Sequence, residues 1–310
     1  MTPDQRAAVL GLLKLSPDLP EHELRIEGVP FVSGAVRRQR VSYATRGPGG
    51  EVRRLSAWLL RPSMGAGPWP GLIALHPHGD AFAQGGDELA GQRGQREHHY
   101  GVTLAARGFV VLCPDLPCFG QQQAPPGMPV DQRWEELCLS RALAYGSSLL
   151  SLALDQLRAG VAALLDYEKT DGLTVSALGY GMGARAAAWL AWVDRRVGAV
   201  WLHSGLGQQG VLLSHGRLLP RHTLLPGLLA LGLDQADVVA DLLPRPIGIS
   251  YGRSDRVAMP EAMEPVLTAV ARRQTDLPHA RVVVMAGDYD HRFPADVQQA
   301  IGDNLLAWVD

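Results

Sequence analysis

The feature that most constrains this chain is a series of short, largely apolar runs with helical stretches between them. The runs are Gly71–Leu75, Phe109–Cys113, Leu173–Leu178, Val197–Leu202, Pro246–Ser250 and Arg281–Met285. A strand that alternates in polarity has one wet face, whereas a continuously apolar one must be covered on both. The intervening stretches near 94–107, 147–168, 182–194, 258–274 and 295–308 can supply that cover as helices, through right-handed parallel crossovers. Upstream, residues 35–46 and 52–61 do alternate (Val41, Tyr43; Leu55, Ala57, Leu59) around Gly47-Pro48-Gly49-Gly50, the pattern of an antiparallel hairpin. The expectation is an α/β fold: one mostly parallel sheet of about eight strands with helices on both faces, built from residues 31–310. Residues 1–30 are expected to form an N-terminal helical extension. A chain of 310 residues is long enough to bury a core of that size.

Composition removes several classes of function. An apolar share of 46% and a charged share of 19% are those of an ordinary globular protein. A formal charge of −2, with the arginines scattered, gives no general attraction to nucleic acid or to an anionic membrane. No stretch approaches the ~18 apolar residues that span a bilayer, and residues 1–20 lack the basic start and apolar run of a secretory leader. Cys113, Cys118 and Cys138 are odd in number and widely spaced, which suits neither a disulfide framework nor a zinc site. These readings together point to a cytoplasmic protein.

Two segments interrupt the alternation. Residues 116–146 carry Gly120, Gln121–Gln123 and Pro125-Pro126, and residues 205–244 are leucine-rich and broken by Gly210, Pro220 and Pro226. Both follow the C-terminal end of a strand, where open α/β sheets form their ligand crevice. They are expected to be the walls or lid of a pocket, and 205–244 equally suits a homodimer contact.

The third of the apolar runs ends in Gly179-Tyr180-Gly181-Met182-Gly183, followed by the helical Ala184–Leu190. Strand, glycine-framed turn and helix make the nucleophile elbow of α/β hydrolases, which usually reads G-x-S-x-G or carries cysteine at its centre. Here the central residue is Gly181, with no oxygen or sulfur to attack a carbonyl. The other members of a triad follow in the expected order. One strand runs into Gly252–Asp255, the place of the triad carboxylate, and the last runs into Gly287–Pro294, the place of the histidine, His291. Asp255 would hold the imidazole tautomer and His291 would take and return a proton. Asp288 and Asp290 are weaker substitutes for the carboxylate. The run 71–75 leads into His76-Pro77-His78-Gly79-Asp80, and the loop after that strand supplies one oxyanion-hole amide while the residue after the nucleophile supplies the other. Pro77 cannot donate, so the amides of His78 and Met182 are assigned.

With these motifs in hand, residues 35–308 resemble the dienelactone hydrolase and acetyl xylan esterase-like branch of the α/β-hydrolase superfamily. The resemblance rests on the His76–Asp80 loop, Ala105–Asp115 with Phe119-Gly120, the elbow at 179–183, Tyr251-Gly252 with Asp255, and His291–Pro294. It implies serine or cysteine hydrolysis of carboxylic esters or lactones, with a small ester or acyl ligand and no metal or other cofactor. At Gly181 the sequence departs from that pattern.

Each residue also has a plainer reading. Gly181 is a structural turn glycine, a natural loss of the nucleophile, or an introduced replacement. His76 reads as a hydrogen-bonded structural residue and Asp115 as the organiser of its loop. His76, His78, His98 and His99 invite a metal, but they lack a fourth partner at zinc spacing. Ser204 and Cys118 are off the elbow and are poor stand-ins for a nucleophile; Ser176 is expected inside its strand. Without an oxygen at 181 no acyl-enzyme forms there. Three functions stay open: an ester-hydrolase relative disabled or altered at its nucleophile, a pseudoenzyme that binds an acyl ligand or a protein partner, and a cofactor-free His/Asp lyase or isomerase.

Overall fold

A computed structural model describes residues 1–18, 23–47 and 49–309. Nine strands form one sheet in the order β1-β2-β3-β5-β4-β6-β7-β8-β9. They are β1 Arg25–Ser33, β2 Val36–Arg46, β3 Val52–Pro62, β4 Trp69–Leu75, β5 Val110–Pro114, β6 Thr170–Tyr180, β7 Val197–His203, β8 Ile247–Gly252 and β9 Val282–Gly287. The first three pair antiparallel, as β3 does with β5; from β5 to β9 every pairing is parallel. The helices are α1 Pro3–Leu13, α2 Gly86–Leu89, α3 Tyr100–Ala106, α4 Gln132–Ala144, α5 Leu149–Leu165, α6 Met182–Val193, α7 Gln209–Ser214, α8 Gln235–Ala240, α9 Pro260–Asp276 and α10 Ala295–Val309.

The apolar runs become strands because each has two faces to bury. In β4, Ile73 and Leu75 belong to one core while Leu72 and Ala74 belong to the other. Likewise Val110 and Leu112 of β5 face one way, and Val111 and Cys113 the other. Helices α5 and α6 fill the first core, with Trp189 and Trp192 stacked edge to face at 5.8 Å. Helices α3 and α10 cover the second. At ~25 cal/mol per Å² of apolar surface, burial on both faces makes β4–β8 the most strongly held part of the sheet.

The N-terminal segment differs from the expectation. Residues 3–13 are helical, with Thr2 as N-cap in a capping box closed by Gln5. The helix is held where Asp241 takes the Met1 amino group, Arg6 and the Trp192 indole. Residues 25–30, however, belong to β1, which adds a ninth strand at the hairpin's edge. That strand escapes sequence reading because it is mostly exposed and has no buried face to impose alternation. The β2–β3 hairpin closes as expected, with Arg46 opposite Val52 and the Gly47 amide bonded to the Glu51 carbonyl at 2.8 Å. Pro48 in that turn lies outside the described residues. Among the described residues no single helix is long and apolar enough to cross a membrane.

Candidate active site

Strand β6 and helix α6 meet at Gly181, whose φ of +58° and ψ of −115° make the sharp turn at the top of the sheet's centre. Its neighbours must also be glycine: a Cβ at Gly179 would collide with the Gly183 carbonyl, and one at Gly183 with that of Leu75. Gly181 itself is different. A Cβ there would sit 3.5 Å from His291 Nε2, 3.6 Å from Pro77 Cβ and 3.7 Å from the Ser204 carbonyl, all ordinary contacts. Space for a side chain exists at 181, and it faces the imidazole. Only the positive φ, which costs an L-residue ~1–3 kcal/mol, favours glycine.

The histidine arrives from the β9–α10 loop and the acid from the β8–α9 loop. Asp255 Oδ2 lies 2.8 Å from His291 Nδ1, while Oδ1 accepts the amides of Val257 and Ala258 at 2.8 and 2.9 Å. Burial pushes the Asp255 carboxyl up, but the His291 hydrogen bond and charge, with those two amides, outweigh it and hold the group below its ordinary value. An ionised Asp255 fixes Nδ1 as the protonated nitrogen and leaves Nε2 directed at residue 181. Tyr180, beside the elbow, donates its hydroxyl to the His291 carbonyl at 3.0 Å and lies against the imidazole at 5.0 Å. Beneath it, His203 bridges the Ser250 hydroxyl and the Arg292 carbonyl and stacks on Phe293 at 4.0 Å. Burial drops His203 to about 3, so it is a neutral brace.

The loop after β4 lies against the elbow. His76 Nδ1 donates to the Pro77 carbonyl at 2.8 Å and Nε2 accepts the Leu116 amide at 3.0 Å, the structural role expected of it; burial lowers its pKa to about 4. Asp115 likewise orders its loop, accepting the amides of Gly86 and Gln121. Met182 is the first residue of α6, so its amide has no acceptor within the helix.

A cavity of about 460 Å³ opens over this junction. Gly181, Met182, His291 and His78 line it, and Asp255 stands buried behind His291. All five residues picked from the sequence therefore meet at one place. Gln132 and Glu135 of α4, together with Leu212 and residues 217–221, also line the cavity. Ser204 is buried with φ +41°, and Ser176 is buried in β6; each hydroxyl lacks a hydrogen-bond partner. Cys118 is buried among core residues.

Sequence reasoning missed a second cluster on the same cavity. Glu135, fully buried, accepts Arg221 on Oε2 at 2.7 Å, while its Oε1 lies 3.2 Å from His78 Nε2 and 2.9 Å from His222 Nδ1. Burial would raise the Glu135 carboxyl, yet His222 and His78 hold it well below the usual carboxylate range. The signal was faint: Glu135 is one of three acids within α4 and its flanks, and Arg221-His222 follows directly on Pro220.

No protein-family profile matches the sequence, and no curated protein is significantly similar to it. Solved structures are similar across nearly the whole chain. A candidate acetyl xylan esterase from Bacteroides fragilis superposes with a TM-score of 0.75 at 15% identity, covering 97% of this chain and 86% of its own. Acetyl xylan esterase 1 from Thermoanaerobacterium gives 0.65 at 16%, covering 99% and 92%. A candidate dienelactone hydrolase from Klebsiella pneumoniae gives 0.55 at 18%, covering 87% and 98%. At these identities the likeness is one of architecture, and with the strand order and the turn at Gly181 it establishes that the chain has the α/β-hydrolase fold.

Proposed function

We propose that this protein hydrolyses a small carboxylic ester or lactone without forming an acyl-enzyme, on a frame of ester-hydrolase ancestry. The observation that carries the reading is the distance of 3.5 Å between His291 Nε2 and the point where a side chain at 181 would begin. A water lodged just beyond that point, in the space a serine side chain would fill, lies within reach of the base that would have served the serine. Nε2 accepts one proton of that water, and the oxygen adds to the acyl carbon. The negative charge that collects on the former carbonyl oxygen is received by the amides of His78 and Met182. Collapse expels the alcohol oxygen, which takes the proton back from Nε2, so the balance is ester plus water giving acid plus alcohol. Asp255 stays ionised and stabilises the imidazolium between the two transfers.

Lacking a covalent step, the reaction is expected to be slow. Removing the nucleophile of a serine hydrolase costs roughly 10⁶-fold, with about 10³–10⁴-fold over water left to the oxyanion hole and binding. Arg185 and Arg217 on the cavity wall favour an acyl compound that carries a negative group. Three cysteines make no disulfide framework of the kind secreted domains carry, and the proposal places the reaction in the cytoplasm.

The test is turnover of an activated acetate ester and of small lactones by the purified protein and by His291→Ala. The proposal expects slow turnover in the first and a fall of roughly 10²-fold or more in the second. Equal rates in both, or a folded protein that binds acyl ligands tightly and turns over none, would overturn it in favour of a binding role.

A further inference from the structure

We propose that His78, Glu135 and His222 form a binding site for a divalent transition-metal ion of the zinc class, open to the same cavity. The ligand atoms are His78 Nε2, Glu135 Oε1 and His222 Nδ1, all within 4.8 Å of one another. Two imidazoles and one carboxylate with a free fourth position are the donor set of catalytic zinc. At metal–ligand distances of ~2.0–2.1 Å, tetrahedral ligands stand about 3.3 Å apart. The observed separations from Glu135 Oε1, 3.2 Å to His78 and 2.9 Å to His222, are close to that.

His222 supplies the independent observation. It is 2% exposed, and its Nε2 lies 2.6 Å from the Pro117 carbonyl, which can only accept. A hydrogen therefore sits on Nε2, and in the neutral ring Nδ1 keeps the lone pair that a metal ion would take. That buried nitrogen has no hydrogen-bond partner of acceptable geometry, although a carboxylate oxygen lies 2.9 Å away. In that form the Nδ1 and Glu135 Oε1 lone pairs converge at 2.9 Å, an arrangement suited to a shared cation.

The surroundings are those of a metal site. A ligating imidazole usually donates its second N–H to a carbonyl or carboxylate, which fixes its tautomer. His222 does so to Pro117, and His78 Nδ1 lies 3.3 Å from Asp80 Oδ1. Asp80 thus offers that nitrogen both an acceptor and, through its amide at 3.2 Å, a donor; the ligating tautomer uses the acceptor. Arg221 holds the Glu135 oxygen that the ion would not use. Phe119 fixes both rings, at 5.1 Å from His78 and 5.6 Å from His222, with Phe82 at 5.3 Å from His78. His78 and Glu135 face the cavity, so the open coordination position faces the ligand and can take its carbonyl or carboxylate oxygen. The site stands apart from the Asp255–His291 pair and does not depend on it.

The experiment is calorimetric titration of Zn²⁺ into chelator-stripped protein, with Co²⁺ loading to read coordination from its visible bands. One ion per chain with a four-coordinate Co²⁺ spectrum is expected. His78→Ala and Glu135→Gln should weaken binding by roughly 100-fold or more, and Asp80→Asn by about 10-fold, as outer partners do. His291→Ala and the exposed His215→Ala and His279→Ala should leave it unchanged, which separates this site from the dyad and from surface histidines. Should Glu135→Gln not fold, His78→Ala and Asp80→Asn carry the test. No Zn²⁺ bound by the folded protein, or unchanged affinity in His78→Ala, would show an imidazolium–carboxylate pair only and overturn the proposal.

Discussion

Two clusters border the same cavity, and they were built by different parts of the chain. The Asp255–His291 pair stands on loops that leave adjacent parallel strands, β8 and β9, whose register sets Gly252 beside Gly287. The His78–Glu135–His222 cluster is gathered from the β4 loop, helix α4 and the segment after Pro220, none of them neighbours in the sheet. A strand end is placed by backbone hydrogen bonds, so topology alone brings its next few residues to a fixed spot. A cluster gathered from insertions depends on how those insertions pack, which follows from contacts far apart in sequence. The first kind of site is legible from motif order; the second is not.

Substitutions that uncouple the clusters test this division, and the largest effect falls on the dyad. His291→Ala should lower ester turnover by ~10²–10⁴-fold, the usual share of a general base. Asp255→Asn should approach the same loss, because Nδ1 then loses its acceptor. Steady-state rates check both, and neither change should alter Zn²⁺ binding. A rate that falls in His78→Ala while His291→Ala is unaffected would reverse the roles of the two clusters.

Acid should separate the brace from the chemistry. His76 and His203 are held neutral in the fold at about 4 and about 3, against an ordinary 6.5. Their folded pKa values are depressed, so the unfolded chain binds protons that the fold refuses. Stability from this source is complete above about pH 6.5 and is lost as pH falls towards 4. At ~1.4 kcal/mol per unit, His76 alone accounts for about 3 kcal/mol. Asp115, raised to about 6 by burial despite its two amide donors, opposes this by a smaller amount over the same range. Urea unfolding at pH 7 and pH 4.5 should show the net loss; equal midpoints would contradict the neutral assignment. The smallest effect is expected from Tyr180→Phe, which removes the hydroxyl bonded to the His291 carbonyl. About 1 kcal/mol of stability and a few-fold of turnover should go with it.

The sequence carried the sheet well where both strand faces are buried. Phe109–Cys113 and Val197–Leu202 each fall within a residue of β5 and β7. It failed at β1, whose residues face solvent and have no pattern to read. In the site, glycine spacing and strand-end position marked Gly181, Asp255 and His291. The amide donors followed from a chain rule that Pro77 narrowed. Glu135 and His222 were invisible because their meaning lies in each other, 87 residues apart and joined only by the fold.

The central claim is that the backbone at 181 presents its side-chain position to the His291 base, and Gly181→Ser tests it most directly. The new Cβ meets only ordinary contacts, and its positive φ should cost about 1–3 kcal/mol, which circular dichroism and a melting curve will register. Intact-protein mass spectrometry after mixing with an activated acetate ester should then show one acetyl group added, located on residue 181, and absent in Gly181→Ser/His291→Ala. A folded Gly181→Ser protein that stays unacylated while binding the ester would contradict the account.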